Sequence, residues 1–337
     1  TITMTARHIF TRGFSAGSSA WSEVTSGPLS GLTIIGPTPG VVWLHGIGSS
    51  CASDAARGVE SLLDPMRLGR TILRLDQRGH GRSSSCHDSS IGFEQYTSAE
   101  LGKELRIASR ASLSRAFFAG EGTGGAAALS AAASAAASGS VDTPPGLILV
   151  RPSACMVPGP TGEEARRSCA ALAKELGESN SWDKFLAAEA AAAYTPFLDC
   201  RTSLGYGSKT EFDGEALRNL RQSTIDIAVL RSALHGLERS SSVEGDAARS
   251  LGQERHQSMA QDAYGVDFTL SCPVQIFGLE DDPELDRIAA QELSELLPDA
   301  SISWAASGEE ALEEWPKVIA SFLRKAWLKE FMQKRVM

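Results

Sequence analysis

Short, unbroken apolar runs recur along the chain, each followed by a stretch with helical spacing. Residues 41–44, 70–75, 117–119, 147–150, 274–277 and 302–305 are runs led by Val, Ile, Leu and Phe. All six predict strands, and the continuous apolar runs at 41–44 and 147–150 predict strands buried on both faces. Residues 31–35 predict one more strand. Helices are expected at 54–63, 98–113, 123–137 and 283–296, with a last one from 316 through 323 and on toward 335. Leu101, Leu105, Ile107 and Ala108 mark the apolar face of the second, and Pro283 opens the fourth. Strands alternating with helices predict an α/β chain with a doubly wound, mostly parallel sheet. The texture changes between 155 and 270, which is rich in Ala, Glu, Arg and Ser. Its clearest helices are expected at 171–176, 182–193 and 215–237. A helical block between two buried strands predicts an inserted cap. The expected organisation is a terminal segment (1–20), a core in two parts (21–154 and 271–323), the cap (155–270) and an amphipathic helical extension (324–337).

The most telling stretch is Phe117-Phe118-Ala119-Gly120-Glu121-Gly122-Thr123-Gly124-Gly125. An apolar strand runs through a glycine-crowded turn into an Ala-rich helix. A turn so tight requires small residues, because strained backbone and two closely packed elements meet there.

Composition narrows the function classes. A net charge of −9 and the lack of a basic run interleaved with aromatics exclude a nucleic-acid partner. No apolar stretch reaches the ~18 residues a transmembrane helix requires. Six scattered cysteines without a C-x-x-C read as reduced thiols rather than a disulfide frame or a zinc site. Residues 1–20 carry Arg7 and Arg12, many Ser and Thr, and no acidic residue. That composition is expected of a transit peptide, and Arg12-Gly13-Phe14-Ser15 looks like a matrix-protease site. Mitochondrial localisation is the expectation, with plastid or cytoplasm as alternatives and an ordinary Ser-rich terminus as the plain reading.

Four motifs fall in one order. His45-Gly46 follows a buried strand. Asp76-x-Arg78-Gly79-His80-Gly81-x-Ser83 ends the next. Gly120-x-Gly122-x-Gly124 makes the tight turn, and Gly278-x-x-Asp281 follows a late strand. The chain thereby resembles the α/β-hydrolase fold family, in its cap-containing branch, over roughly residues 28–154 and 271–323. The resemblance implies an oxyanion-hole-like loop at His45, Gly46 and Ile47, completed by the backbone N–H of Thr123. It implies a nucleophile at position 122, an acid at Asp281, and a base in the family's G-H-x-x-x-x-E-x-P pattern. Here the nucleophile position holds Gly122. The base position holds Glu309, with Gly308, Glu314 and Pro316 in register. The triad therefore reads as degenerate, with Gly122, Asp281 and Glu309 as vestigial positions and no intact catalytic set.

Other groups invite chemistry. Glu121 is a carboxylate beside the apex, expected to point away from the pocket. Asp281 and Glu309 would make a close carboxylate pair with one raised pKa, serving a non-standard hydrolase or lyase. Cys51 and Cys86 fall near the expected pocket mouth, where buried, inert thiols are the simpler reading. His45 and His80 suggest a metal, but loop histidines bonded to backbone explain them better. No metal or cofactor is expected. The glycine turn lacks the Lys-Ser/Thr of a phosphate loop. The leading expectation is a pseudoenzyme kept as a structural or binding subunit, with a protein partner on the cap or the C-terminal helix. A receptor holding a small molecule between core and cap is the other expectation. The tail supports docking, because Trp327, Leu328, Phe331 and Met332 alternate with Lys325, Lys329, Lys334 and Arg335 at helical spacing.

Overall fold

The computed structural model describes residues 22–26, 29–34, 39–86, 96–113, 115–138, 143–177, 181–197, 214–239, 270 and 272–336. The expectations for segment 1–20, for the parts of the cap at 198–213 and 240–269, for Cys200, and for the side chains of Cys86, Lys334 and Arg335 lie outside the described residues.

Eight strands form one sheet: β1 (Ser22–Ser26), β2 (Leu29–Ile34), β3 (Gly40–Leu44), β4 (Ile72–Leu75), β5 (Ala116–Gly122), β6 (Leu147–Pro152), β7 (Val274–Leu279) and β8 (Ala300–Ala305). Their spatial order is β1-β2-β4-β3-β5-β6-β7-β8. The pairings β1–β2 and β2–β4 are antiparallel, and the other five are parallel. This is the mostly parallel, doubly wound sheet the apolar runs predict. β1, Ser-Glu-Val-Thr-Ser, was not anticipated. It is a polar edge strand paired with β2 on one side, with Glu23 also bonded to Arg82, which leaves no apolar signal to read.

Alternation along the strands sorts the core into two layers. Val42, Leu44 and Phe118 face one layer, together with Leu73, Leu149 and Ile276. Val41, Trp43, Phe117 and Ala119 face the other, against Trp315, Ile319 and Leu323 of the last helix. The first layer holds α4 (Ser98–Ser112) and α5 (Thr123–Ala137). α5 is buried at nearly every position, which its alanines permit. Its neighbour approaches so closely that a Cβ on Gly102 would stand 2.9 Å from the Ala127 carbonyl oxygen.

Three expected helices take a different form. The helix at 54–63 is three short ones: α1 (Cys51–Ala56), α2 (Val59–Leu62) and α3 (Pro65–Leu68). Gly58, at φ 83°, breaks the first from the second. Pro65 does not close a helix but opens α3, behind the Asp64 cap. The one expected at 171–176 begins earlier, as α6 (Gly159–Leu176). It is followed by α7 (Trp182–Ala191). The stretch 215–237 is split into α8 (Gly214–Thr224) and α9 (Ile227–Arg239). After β7 comes α10 (Glu284–Leu296), and after β8 comes α11 (Gly308–Val336). α11 passes Pro316 without ending, so 324–336 continues the same helix.

The helices between β6 and β7 meet the loops at the C-terminal ends of the strands. Ile225 forms a β-bridge with His80. Phe197 lies against Gly48, where a Cβ would stand 2.5 Å from its ring. Tyr194 donates its hydroxyl to Asp286 at 2.9 Å.

The elbow is packed backbone against backbone. A Cβ on Gly120 would stand 2.4 Å from the Gly124 carbonyl, and one on Gly124 would stand 2.2 Å from the Leu44 carbonyl oxygen. Both obstacles are backbone. Gly124→Ala should therefore cost at least the ~1–3 kcal/mol of overpacking. Urea unfolding of the purified variant beside the unaltered chain checks this.

Candidate active site

The turn from β5 to α5 has the backbone of a nucleophile elbow. Gly122 sits at φ 55°, ψ −125°, a combination that residues with a Cβ rarely adopt. Glycine holds it with least strain, and leaves no side chain at the apex. Thr123 opens α5, and its hydroxyl accepts a 2.7 Å hydrogen bond from the Ile47 N–H. The sequence suggested that Ile47 and Thr123 would aim two backbone N–H groups at a substrate oxygen. Instead the Ile47 donor is taken by the Thr123 side chain. Gly46 accepts at its carbonyl from Ser49 N–H (3.2 Å) and His45 Nδ1 (2.7 Å). The Gly48 N–H goes to His80 Nε2 at 3.2 Å.

Both histidines are set by backbone. His45 Nδ1 bonds the Gly46 carbonyl while Nε2 accepts the Gln77 N–H at 3.0 Å. His80 Nδ1 bonds the Arg78 carbonyl at 2.9 Å while Nε2 accepts from Gly48. These partners fix a neutral tautomer with Nδ1–H as donor in each ring. The rest of the Asp-x-Arg-Gly-His-Gly-x-Ser motif is also architecture. The Asp76 carboxylate accepts from the Cys51 N–H (2.6 Å) and the Arg82 N–H (3.0 Å). Gly81, at φ 48°, has no room for a Cβ beside that carboxylate. Ser83 donates to the Asp76 carbonyl (2.8 Å) and accepts from the Ser30 N–H (2.9 Å). Arg78 pairs with Glu104. Among the described residues, no cluster of His, Cys, Asp and Glu could hold a metal.

Asp281 is half-buried beyond β7. Glu309 is exposed in the first turn of α11, beside Glu310, whose carboxylate accepts the Ala306 N–H at 2.7 Å. Acidic residues there complement the positive end of the helix. Burial pushes the Cys51 thiol well above its ordinary range, which makes it a poor nucleophile.

Sequence reasoning missed the chain of charges beneath the elbow. Glu121 is completely buried and bonds Arg57 through both oxygens (3.1 and 2.5 Å). Arg57 also donates to Asp54 at 2.8 Å, which accepts from Trp43 Nε1 (2.7 Å) and Ser49 Oγ (3.0 Å). On the other side Arg151 lies 3.6 Å from Glu121 and pairs with Asp282 at 2.6 Å. The chain Asp54–Arg57–Glu121–Arg151–Asp282 thus runs along the strand ends in sheet order, from the β3 loop through β5 and β6 to the β7 loop. Arg151 reaches both carboxylates because it is a bulge: Glu121 pairs with Val150 and Gly122 with Pro152, leaving Arg151 between them at φ 46°. A lone arginine after the apolar run 147–150 was the signal available.

Comparisons agree with this architecture. No protein-family model matches the chain, and a search of curated protein sequences finds no match. Solved structures do match. An epoxide hydrolase of Bacillus megaterium is 14% identical, with a TM-score of 0.59, covering 91% of this chain and 99% of its own. A thermophilic esterase of Thermogutta terrifontis is 18% identical at 0.52, covering 92% and 98%. An enol-lactonase of Burkholderia xenovorans is 16% identical at 0.51, covering 90% and 100%. The chain has the α/β-hydrolase fold.

Cutting the charge chain at different points should give unequal losses. Arg57→Met removes the arginine held between Asp54 and Glu121, both fully buried, and should cost ~3–5 kcal/mol. Glu121→Gln leaves each arginine its own carboxylate and should cost clearly less. Urea denaturation of the two variants side by side measures the difference.

Proposed function

We propose that this protein is a hydrolase-fold chain without hydrolase chemistry, kept as a binding or structural subunit. One observation carries the reading: the elbow holds the nucleophile's backbone conformation at Gly122, with no side chain there to attack. Three more support it. No histidine follows β8 in the sequence, where the fold's base would stand. The Ile47 N–H, which would polarise a substrate carbonyl, is spent on Thr123. His45 and His80 have both ring nitrogens on backbone partners. In a serine protease, losing the nucleophile or the base costs about 10⁶ in turnover. The remaining site would leave only a trace of activity.

The seat of Phe197 favours a structural role over a small-molecule receptor. Its buried ring presses on Gly48 and packs tilted against Phe185, and the Arg221 guanidinium lies 5.1 Å from its centre. Bulk of this kind stands where a ligand would cross from cap to core. The end of α11 supports docking onto a partner protein. Leu328, Phe331 and Met332 are exposed there, while Trp327, Ile319 and Leu323 of the same helix pack inward. A place in a mitochondrial complex would fit the basic, acid-free composition of residues 1–20.

Hydrolysis of p-nitrophenyl esters of graded chain length tests the reading. The chain and its Glu309→Gln and Asp281→Asn variants should all match the buffer rate. Turnover that falls in either variant would instead establish the carboxylate pair as a working site. Gly122→Ser alone should stay inactive, since no base is supplied. It should also lose roughly 1–3 kcal/mol of stability from a Cβ at φ 55°. Turnover restored by that single change would overturn the proposal.

The docking face has its own test. Native mass spectrometry of the protein isolated from its source should find it in a defined assembly. A Leu328→Asp, Met332→Asp variant expressed there should be found as the free chain. An unchanged assembly would remove the helix end from the interface.

A further inference from the structure

We propose that Cys155 and Cys169 form a dithiol modification site, which a peroxide converts to a disulfide joining the turn after β6 to α6. This rests on packing unrelated to the elbow chemistry. The two sulfurs are in contact at 3.6 Å, and both side chains are buried. A disulfide requires ~2.05 Å, so the sulfurs need close by only about 1.5 Å. The supporting backbone is already clamped. Arg166, one helical turn before Cys169, donates Nη1 to the carbonyls of Cys155 (3.1 Å) and Val157 (3.0 Å). From the other side, Asp286 accepts the Ala154 N–H at 2.7 Å. Gly162 brings α6 so near that a Cβ there would stand 1.8 Å from the Val157 oxygen. A pair held this way loses little freedom when it is linked.

The two thiols have unequal roles. The hydrogen bond from Cys169, with a smaller one from Ser153, draws the Cys155 thiol below its ordinary range despite burial. The same contact and burial push Cys169 well above it. Cys155 is therefore the attacking sulfur and Cys169 the resolving one. The Cys155 thiolate attacks one oxygen of hydrogen peroxide and the O–O bond breaks. The departing hydroxide takes up a proton and leaves as water, with Cys155 as a sulfenic acid. The Cys169 sulfur then attacks the Cys155 sulfur. The S–O bond breaks, the S–S bond forms, and the thiol proton leaves with the oxygen as a second water. Two thiols are oxidised by two electrons and one peroxide is reduced to two waters.

The test uses the full chain, reduced and then exposed to hydrogen peroxide, with free thiols alkylated before peptide mapping. One arm keeps the protein folded. A second oxidises it during refolding from urea, so that burial cannot hide the sulfurs. The expected product is lighter by two hydrogens, with one linked peptide joining Cys155 to Cys169. Its melting temperature should rise by several degrees, and dithiothreitol should reverse the shift. In Cys169→Ser, which keeps a hydrogen-bond donor beside Cys155 but cannot resolve it, Cys155 should accumulate as a sulfenic acid trapped by dimedone. In Cys155→Ala, Cys169 should not. Absence of the 155–169 link in both arms, or links to other cysteines instead, would overturn the site. A link that leaves the melting temperature unchanged would remove its stapling role.

Discussion

The structure depends on one close approach. Where β5 turns into α5, Gly124 passes the end of β3 so tightly that a Cβ would stand 2.2 Å from the Leu44 carbonyl oxygen and 2.3 Å from that of His45. Gly120 leaves equally little space beneath it. This contact seats α5 on the sheet and sets the His45–Ser50 loop beside the helix N-terminus. It also throws Gly122 into its strained conformation. A serine there would carry that strain for the sake of catalysis. With glycine, the geometry persists at lower strain.

A second constraint follows from the first. The turn directs Glu121 downward into the apolar layer shared with Trp43 and Trp315, where an unpaired carboxylate would be costly. Arg57 and Arg151 neutralise it, and Asp54 and Asp282 complete them. The bulge at Arg151 is the backbone distortion that makes the pairing reach. The strand ends, where this fold places its chemistry, are thus tied laterally by buried ion pairs. Such networks contribute less to net stability than their geometry suggests, because burying the charges costs nearly as much as pairing returns. They do fix one register of strands and loops against alternatives.

Much of this was legible in the residues. The unbroken apolar runs gave the buried strands, and the spacing of glycines gave the elbow. The Asp76–Ser83 motif gave the β4 turn, since each of its letters answers a local backbone need. The helix break at Gly58 is local, a glycine at φ 83° inside an otherwise helical spacing, while the break at Ile225–Asp226 accompanies the bridge of Ile225 to His80, which no local pattern shows. β1 was hidden because an edge strand needs only a partner's backbone. The charge chain was hidden for a different reason. The Asp54–Arg57 pair, Glu121, Arg151 and Asp282 come from four distant stretches, and only the order of strands in the sheet makes them neighbours. The Thr123–Ile47 bond was missed because the motif suggests a backbone role and says nothing of where a β-branched hydroxyl will turn.

The central claim is that the scaffold is kept while no attacking group stands at its focus. Fluorophosphonate probes measure this most directly, because they react covalently with an activated serine and report the position by peptide mapping. The account predicts an unmodified intact mass after prolonged incubation, with a serine hydrolase in the same tube fully labelled. Stoichiometric labelling at any one residue of this chain would contradict it.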